Sequence, residues 1–424
     1  MIYVTKEFKD MIYLMHCGAK GITPILNNPV NWGGVYCLAQ SHGVSALVFT
    51  AIKQLPDNDK SDIGSDLYST LNVAFYRTVL HQFRRLEFIH NTIKHLEDNG
   101  IECCLFKGES LAMLYHTPSC RISSDTDILI SPELEMQCVR LLKKYGYIVM
   151  PRNSGSHHFV CQHPLGGRLE IHVALCGDIT NDIFFNNQIP LTGKTEEIVL
   201  ENRTVLKIPE STDYMIYLFL HLIKHFLSAG IGIRQFYDIF LFAEAHGNSV
   251  DWSRIRILMD DLGYSRFIAA AIKIGNKYFG FSNNMFSDIE IDDELLEKIL
   301  ADVEQGGIFG ISDNQRKDFY NIYVKERFTK LNKGNFPKYM KRHYGKISLR
   351  QVFPCRAHMS VNYPYVSKCP LLLPMAWVHR GANIFYKIIT QQSKIHKYTK
   401  HDNLEKLNPV LEARLTLVKN LDMI

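Results

Sequence analysis

Apolar residues recur every three or four positions over residues 72–98, at Val79, Phe83, Leu86, Ile89, Ile93 and Leu96. That spacing lines up one face of a helix. Asn99-Gly100 ends it, because glycine takes the left-handed cap conformation at little cost. The rest of residues 1–100 also reads as helical. The period changes at 101. IECCLF is a short apolar run, consistent with a buried strand. ESLAMLY, after Lys107-Gly108, predicts two helical turns. DTDILI (125–130) is apolar and β-branched after its first carboxylate and predicts a strand. SPELEMQCVRLLKKYGY predicts a helix with Ser131 as N-cap, Pro132 in the first turn and Gly146 as its end. Strands are expected at 147–150, 157–162 and 168–175, with Gly166-Gly167 as the hairpin turn between the last two.

From 211 the helical period returns. One helix starts at Ser211 or Thr212, a second covers Ile233–Ala245, and further helices are expected near 251–279 and 293–304. Residues 305–315 are glycine-rich and read as a loop or linker. The tail is expected to add helices around a proline-marked loop near 354–374. The fold class is therefore α+β. Residues 1–100 form an N-terminal helical region, 101–210 an α/β core, 211–310 a helical domain, and 316–424 a basic C-terminal helical region.

Composition narrows the picture. The 424 residues are 46% hydrophobic and 21% charged, which excludes disordered and fibrous classes. No apolar run approaches the ~20 residues of a membrane-spanning helix. Lys6, Glu7, Lys9 and Asp10 precede any apolar run, which does not fit a signal peptide, so a cytoplasmic location is expected. None of the 10 cysteines has C-x-x-C spacing, so they read as reduced thiols rather than a structural zinc site. The net charge of +5 is uneven: residues 331–424 hold 16 Lys and Arg against 4 Asp and Glu. Such a block can meet an anionic partner, or be a solvated or docked helical face.

Acidic pairs spaced i, i+2 are common. About four arise by chance at this acidic content, and six occur besides Asp125 and Asp127, at 57/59, 133/135, 288/290, 290/292, 292/294 and 302/304. Context sets Asp125-Thr126-Asp127 apart. In a strand, residues two apart share a face. Two carboxylates held there repel unless a cation lies between them. Upstream, the Lys107-Gly108-Glu109-Ser110 turn lets a ligand approach the backbone, and the helix start beyond it offers N–H groups to a phosphate. Downstream, Arg168, Glu170 and His172 share a strand face. Three carboxylates, a glycine turn and the nearby Arg121 describe a Mg²⁺-dependent phosphoryl or nucleotidyl transfer site. Lys224 and His225 lie on a later helix and could face the substrate. Arg234 and Asp238 have the spacing of an ordinary helix ion pair. His157 and His158 read as strand residues rather than zinc ligands.

LFKGESLAMLYHTPSCRISSDTDILI, then LEIHVAL, LHLIKHF and IRQFYDI, resembles the uncharacterised nucleotidyltransferase family of the DNA polymerase β-like superfamily. The resemblance covers about residues 75–245, and YPYVSKCPLLLPMAWVHR is similar to that family's C-terminal portion. It implies a minimal nucleotidyltransferase core, a short mixed sheet backed by helices. It implies Asp125, Asp127 and Glu170 as catalytic, metal-holding carboxylates for Mg²⁺ or Mn²⁺. It places Gly108 and Ser110 at the nucleotide phosphates, with Lys107 and Arg121 as phosphate contacts. His172, Lys224 and His225 are substrate-side candidates. Glu109 interrupts the family's usual turn, and an acid there must point away from a triphosphate. The implied reaction moves a nucleoside monophosphate from a nucleoside triphosphate to an acceptor that the sequence does not name. The alternative is a non-catalytic nucleotide-binding or protein-interaction module on the same fold.

Overall fold

Seven strands, β1 (Cys104–Phe106), β2 (Asp125–Leu129), β3 (Ile148–Val149), β4 (His158–His163), β5 (Gly167–His172), β6 (Thr195–Val199) and β7 (Val205–Pro209), form one mixed sheet. Their order is β3-β4-β5-β2-β1-β7-β6. The β2–β5 and β1–β7 pairs are parallel and the others antiparallel. The computed structural model describes residues 4–150, 158–164, 167–173, 193–199, 205–228, 230–307, 365–382 and 409–424, with Phe319, Tyr323, Met359 and Tyr363.

The described residues up to 306 also form twelve helices: α1 (Lys6–Lys20), α2 (Trp32–Ser41), α3 (Ser45–Gln54), α4 (Asp57–Ser61), α5 (Ser65–Glu97), α6 (Gly108–Ala112), α7 (Glu135–Lys144), α8 (Ser211–Ser228), α9 (Ile233–His246), α10 (Trp252–Leu262), α11 (Ser265–Phe279) and α12 (Asp293–Gly306). The fold is α+β, as the patterning predicts. No described helix is long and apolar enough to cross a membrane.

The period of two gives the sheet distinct faces. Cys103, Leu105, Ile128, Phe159, Cys161, Leu169 and Ile171 pack on one side against Ile89, Ile93 and Leu96 of α5 and Cys138 and Leu142 of α7. Each fully buried Leu or Ile there contributes roughly 1.5–3 kcal/mol. Asp125, Asp127, Glu170 and His172 lie on the opposite face, toward α8. A second core joins α1–α3, the first half of α5, and α8–α12.

The long helix departs from the reading in two ways. It begins at Ser65, after Gly64 at φ 77°, rather than near 72. Phe83 is 60% exposed, whereas the buried face runs Leu71, Phe75, Gln82, Arg85, Ile89, Ile93 and Leu96. Two polar residues sit inside that stripe because they bind other parts of the core, described below. Ser131 precedes a 3₁₀ turn, Pro132–Leu134, and α7 begins only at Glu135; the Ser131 hydroxyl donates to Glu133 instead of capping the helix. The amino end of α8 is satisfied from outside, with Ser211 N and Oγ donating to Glu196 of β6 at 3.0 and 2.8 Å.

The eight described cysteines are free. Cys176 and Cys355, His157 and Gly166 lie outside the described residues, as does most of the basic block. Its final helix, Pro409–Asn420, packs on α12, where Arg414 pairs with Asp302 at 3.1 Å.

Candidate active site

The sheet register assembles the carboxylates. Asp127 of β2 lies opposite Glu170 of β5, and Asp125 opposite Arg168. Their side chains therefore emerge on one face of adjacent parallel strands. Asp127 is 2% exposed, while Asp125 is half-buried. Two partners meet Asp127 Oδ1: the Lys107 ammonium, with Nζ at 3.2 Å, and His172 Nε2 at 2.9 Å. Burial alone would raise the Asp127 carboxyl, but Lys107 and His172 outweigh it and hold it at about 2. Burial opposes the Lys107 charge in turn, and Asp127, Tyr217 and Asp125 more than restore it, so its ammonium is held well above the usual range.

Lys107 occupies an unusual backbone position. Its φ of 58° and ψ of −154° fall in a region normally left to glycine, at a cost of order 1–3 kcal/mol. The surroundings fix it there. Lys107 N donates to Tyr214 Oη at 2.6 Å. Its carbonyl accepts from Ser110 N at 3.0 Å and Ser110 Oγ at 2.8 Å. Ser110 is buried and also lies 2.6 Å from Tyr214 Oη. The Ser110 hydroxyl thus holds the turn together. Gly108 follows at φ 42°, and α6 is only five residues long.

Glu109 points away from the carboxylates. Its side chain is 1% exposed and accepts from Arg85 Nη1 at 2.6 Å and Thr126 Oγ1 at 2.9 Å. Arg85 Nη2 also donates to Thr126 Oγ1 at 2.6 Å. Burial pushes the Glu109 carboxyl up while Arg85 opposes it. One ion pair therefore ties α5, the turn and β2. Beside it, Gln82 exchanges two bonds with the Ser123 backbone, each 3.3 Å.

Arg121 also supports the turn from behind. It is 5% exposed. Nε and Nη2 donate to the two Asp238 oxygens, each at 2.8 Å, and Nη1 donates to the Gly108 carbonyl at 2.9 Å. Tyr115 Oη adds a third bond to Asp238, at 2.7 Å. The expected Arg234–Asp238 helix pair is replaced by this one, because the fork of Arg121 meets both oxygens. Arg234 donates to the Ile122 carbonyl instead.

On the far side of Asp127 stands a group of histidines. His158 lies across from His172 on β4, and their rings stack with centroids 5.0 Å apart. Phe106 meets His172 edge-on at 4.8 Å and Tyr217 at 5.0 Å. From α8, His221 stacks near Tyr217, and His225 meets His221 edge-on at 4.3 Å. Lys224 adds a charge that opposes protonation of His158 and His221. Burial lowers both histidines first.

The structure thus brings Lys107, Asp125, Asp127, Glu170 and His172 together, with Lys224 and His225 on the adjoining helix. It puts Ser110 and Arg121 behind the turn, with Gly108 in it. Sequence reasoning missed Arg85, Gln82, Tyr214, Tyr217 and His221. His158 was not legible either: a turn at Gly166-Gly167 would set Cys161 opposite His172, whereas β5 begins at Gly167, opposite His163, and that register puts His158 opposite His172.

No curated protein matches the chain. One solved structure, "Solution Structure of Antibiotic-Resistance Factor ANT(2'')-Ia Reveals Substrate-Regulated Conformation Dynamics", is similar over 43% of this chain and 91% of that one, at 13% identity and a TM-score of 0.32, too slight a likeness to carry an argument. The family described as uncharacterised nucleotidyltransferase matches over residues 28–280, and the chain belongs to that family.

Proposed function

We propose that this protein transfers a nucleoside monophosphate from a nucleoside triphosphate to an acceptor, using Asp125, Asp127 and Glu170. The observation that carries the reading is the register of those carboxylates on one sheet face, with the Lys107 turn beside them. The donor chemistry suits a hard divalent cation: the three are carboxylates on one face of adjacent strands, and the most buried of them, Asp127, is held ionised. Asp125, Asp127 and Glu170 would hold Mg²⁺ or Mn²⁺, which when bound stabilises charge on the attacking and leaving oxygens.

The chain's own residues have separate tasks. Lys107 supplies a positive charge to the phosphates. Gly108 lets them approach the backbone. Ser110 and Arg121 fix the shape of the turn, so that no reorganisation is needed as charge develops. Glu170 completes the carboxylate set or takes the acceptor's proton. Lys224, His225 and His172 border the acceptor side. The acceptor's nucleophile forms a bond to the α-phosphorus, the bond to the β-phosphate bridge oxygen breaks, and pyrophosphate leaves. Sugar phosphates, other small molecules, protein side chains and RNA ends all suit that chemistry. The basic C-terminal block favours an anionic partner.

A binding module on the same fold is the second reading. It draws on the fact that Lys107 already pairs with Asp127 and His172 already hydrogen-bonds it. Labelled ATP separates the two. Incubated with a cell extract and the protein, α-labelled ATP should leave its label on an acceptor, and γ-labelled ATP should not. Asp125→Asn/Asp127→Asn should abolish that labelling. Acceptor labelled from the γ position would contradict the reading, and equal labelling with the double variant would assign it to another enzyme.

A further inference from the structure

His158 and His172 bring their Nε2 atoms to 3.7 and 3.9 Å from the same oxygen, Glu170 Oε2, while His172 Nε2 is also hydrogen-bonded to Asp127 Oδ1. The distances to Glu170 are too long for hydrogen bonds. The other Glu170 oxygen is engaged, accepting from Arg168 Nη2 at 2.5 Å, so Oε2 is the one turned to the histidines. One ligand atom from each of the three residues lies within 4.8 Å of the others. Donors bound at about 2.0–2.2 Å to one ion lie roughly 3–4.4 Å apart. Small rotations would therefore bring all three onto a common cation. Asp127 Oδ1, 2.9 Å from His172 Nε2, borders the same position.

The strands pre-position this set. His158 and His172 are directly opposed across an antiparallel pair, and Glu170 shares their face two residues along. His172 and Glu170 are 4% and 15% exposed, and His158 is 27% exposed, which leaves an approach from solvent on the His158 side.

We propose that His158, Glu170 and His172 form a divalent-cation site of two nitrogens and one oxygen beside the Asp125–Asp127 pair, selecting Mn²⁺, Co²⁺ or Zn²⁺ over Mg²⁺. It deepens the transferase reading, because Glu170 is common to both. Imidazole nitrogen suits these borderline ions, whereas Mg²⁺ prefers oxygen and keeps its water. Each imidazole binds as the neutral ligand through Nε2, and any Nε2 proton leaves to Nδ1 or to water.

The test is Mn²⁺ added alone to the full chain, followed by pulsed electron paramagnetic resonance, with Mg²⁺ as competitor. Wild type should show ¹⁴N coupling to bound Mn²⁺ and hold Mn²⁺ at least about tenfold more tightly than Mg²⁺. His158→Gln and, separately, His172→Gln should weaken Mn²⁺ binding by about tenfold or more, since even outer-shell partners of a metal are worth that much. His158 is the more exposed of the two, so its variant is the one expected to fold normally. Asp125→Asn should keep the nitrogen coupling. If that coupling stays while Mg²⁺-dependent ATP binding proves absent, this site stands and the transferase reading falls. Bound Mn²⁺ without nitrogen coupling, unaffected by His158→Gln, would overturn the proposal and leave an all-carboxylate site. No Mn²⁺ binding by the folded chain would overturn it as well.

Discussion

Arg85 on the long helix α5 donates to Glu109 in the Lys107–Ser110 turn at 2.6 Å, and both side chains are almost completely buried. This pair explains how an acid can stand in that turn and point away from the sheet-face carboxylates. Removing one partner strands the other in the core, which costs about 3–5 kcal/mol. Arg85→Met and Glu109→Leu should each lower the urea unfolding free energy by that order. Arg85→Met/Glu109→Leu should recover most of the loss. Additive losses in the double variant would show that the two residues act separately.

Lys107 carries a charge on a backbone conformation that suits glycine. Lys107→Gly and Lys107→Ala remove the same ammonium from beside Asp127, but only glycine relieves the strain. Lys107→Gly should be more stable than Lys107→Ala by about 1 kcal/mol, a reversal of their usual order. Both should bind nucleotide more weakly than wild type. Thermal unfolding of the pair reads the first effect, and equal stabilities would mean that the turn relaxes.

His42 gives the fold a dependence on mild acid. It is 0% exposed, and burial holds its imidazole at about 4. Its Nδ1 accepts from Ile233 N at 3.4 Å, and Nε2 lies 3.3 Å from the Glu304 carbonyl, so the neutral ring links three helices. The unfolded chain takes up this proton near pH 6.5 and the folded chain only near 4. Stability therefore falls as pH drops from 6.5 toward 4, by about 3 kcal/mol from this group. His42→Asn should be less stable at pH 7 yet show a flatter profile over that window. Parallel profiles for the two proteins would assign the acid sensitivity elsewhere.

Much of the site is legible in the residues because strand period and carboxylate spacing coincide. Asp125 and Asp127 open a strand whose alternate positions are apolar, so a shared face follows from the pleat alone. Glu170 and His172 follow by the same rule. The limits have physical causes too. Arg85 and Gln82 look solvent-facing by composition, and only their partners, Glu109, Thr126 and Ser123, make them part of the core. Phe83 has helical spacing but lands on the open side of α5. Strand β6, at the edge of the sheet, opens with Thr195, Glu196 and Glu197 in a row, and its neighbour β7 carries Lys207 opposite Glu197, so neither shows the period of a strand. The roles of Ser110 and Arg121 depend on Tyr214 and Asp238, more than 100 residues downstream in the chain.

The most direct test of the central claim is calorimetric titration of the protein with ATP, CTP, GTP and UTP, with and without Mg²⁺. Wild type should bind at least one nucleotide only when Mg²⁺ is present, and Asp125→Asn/Asp127→Asn should lose that binding while remaining folded. Nucleotide binding that is indifferent to Mg²⁺ and equal in the double variant would contradict a catalytic role for the carboxylate set.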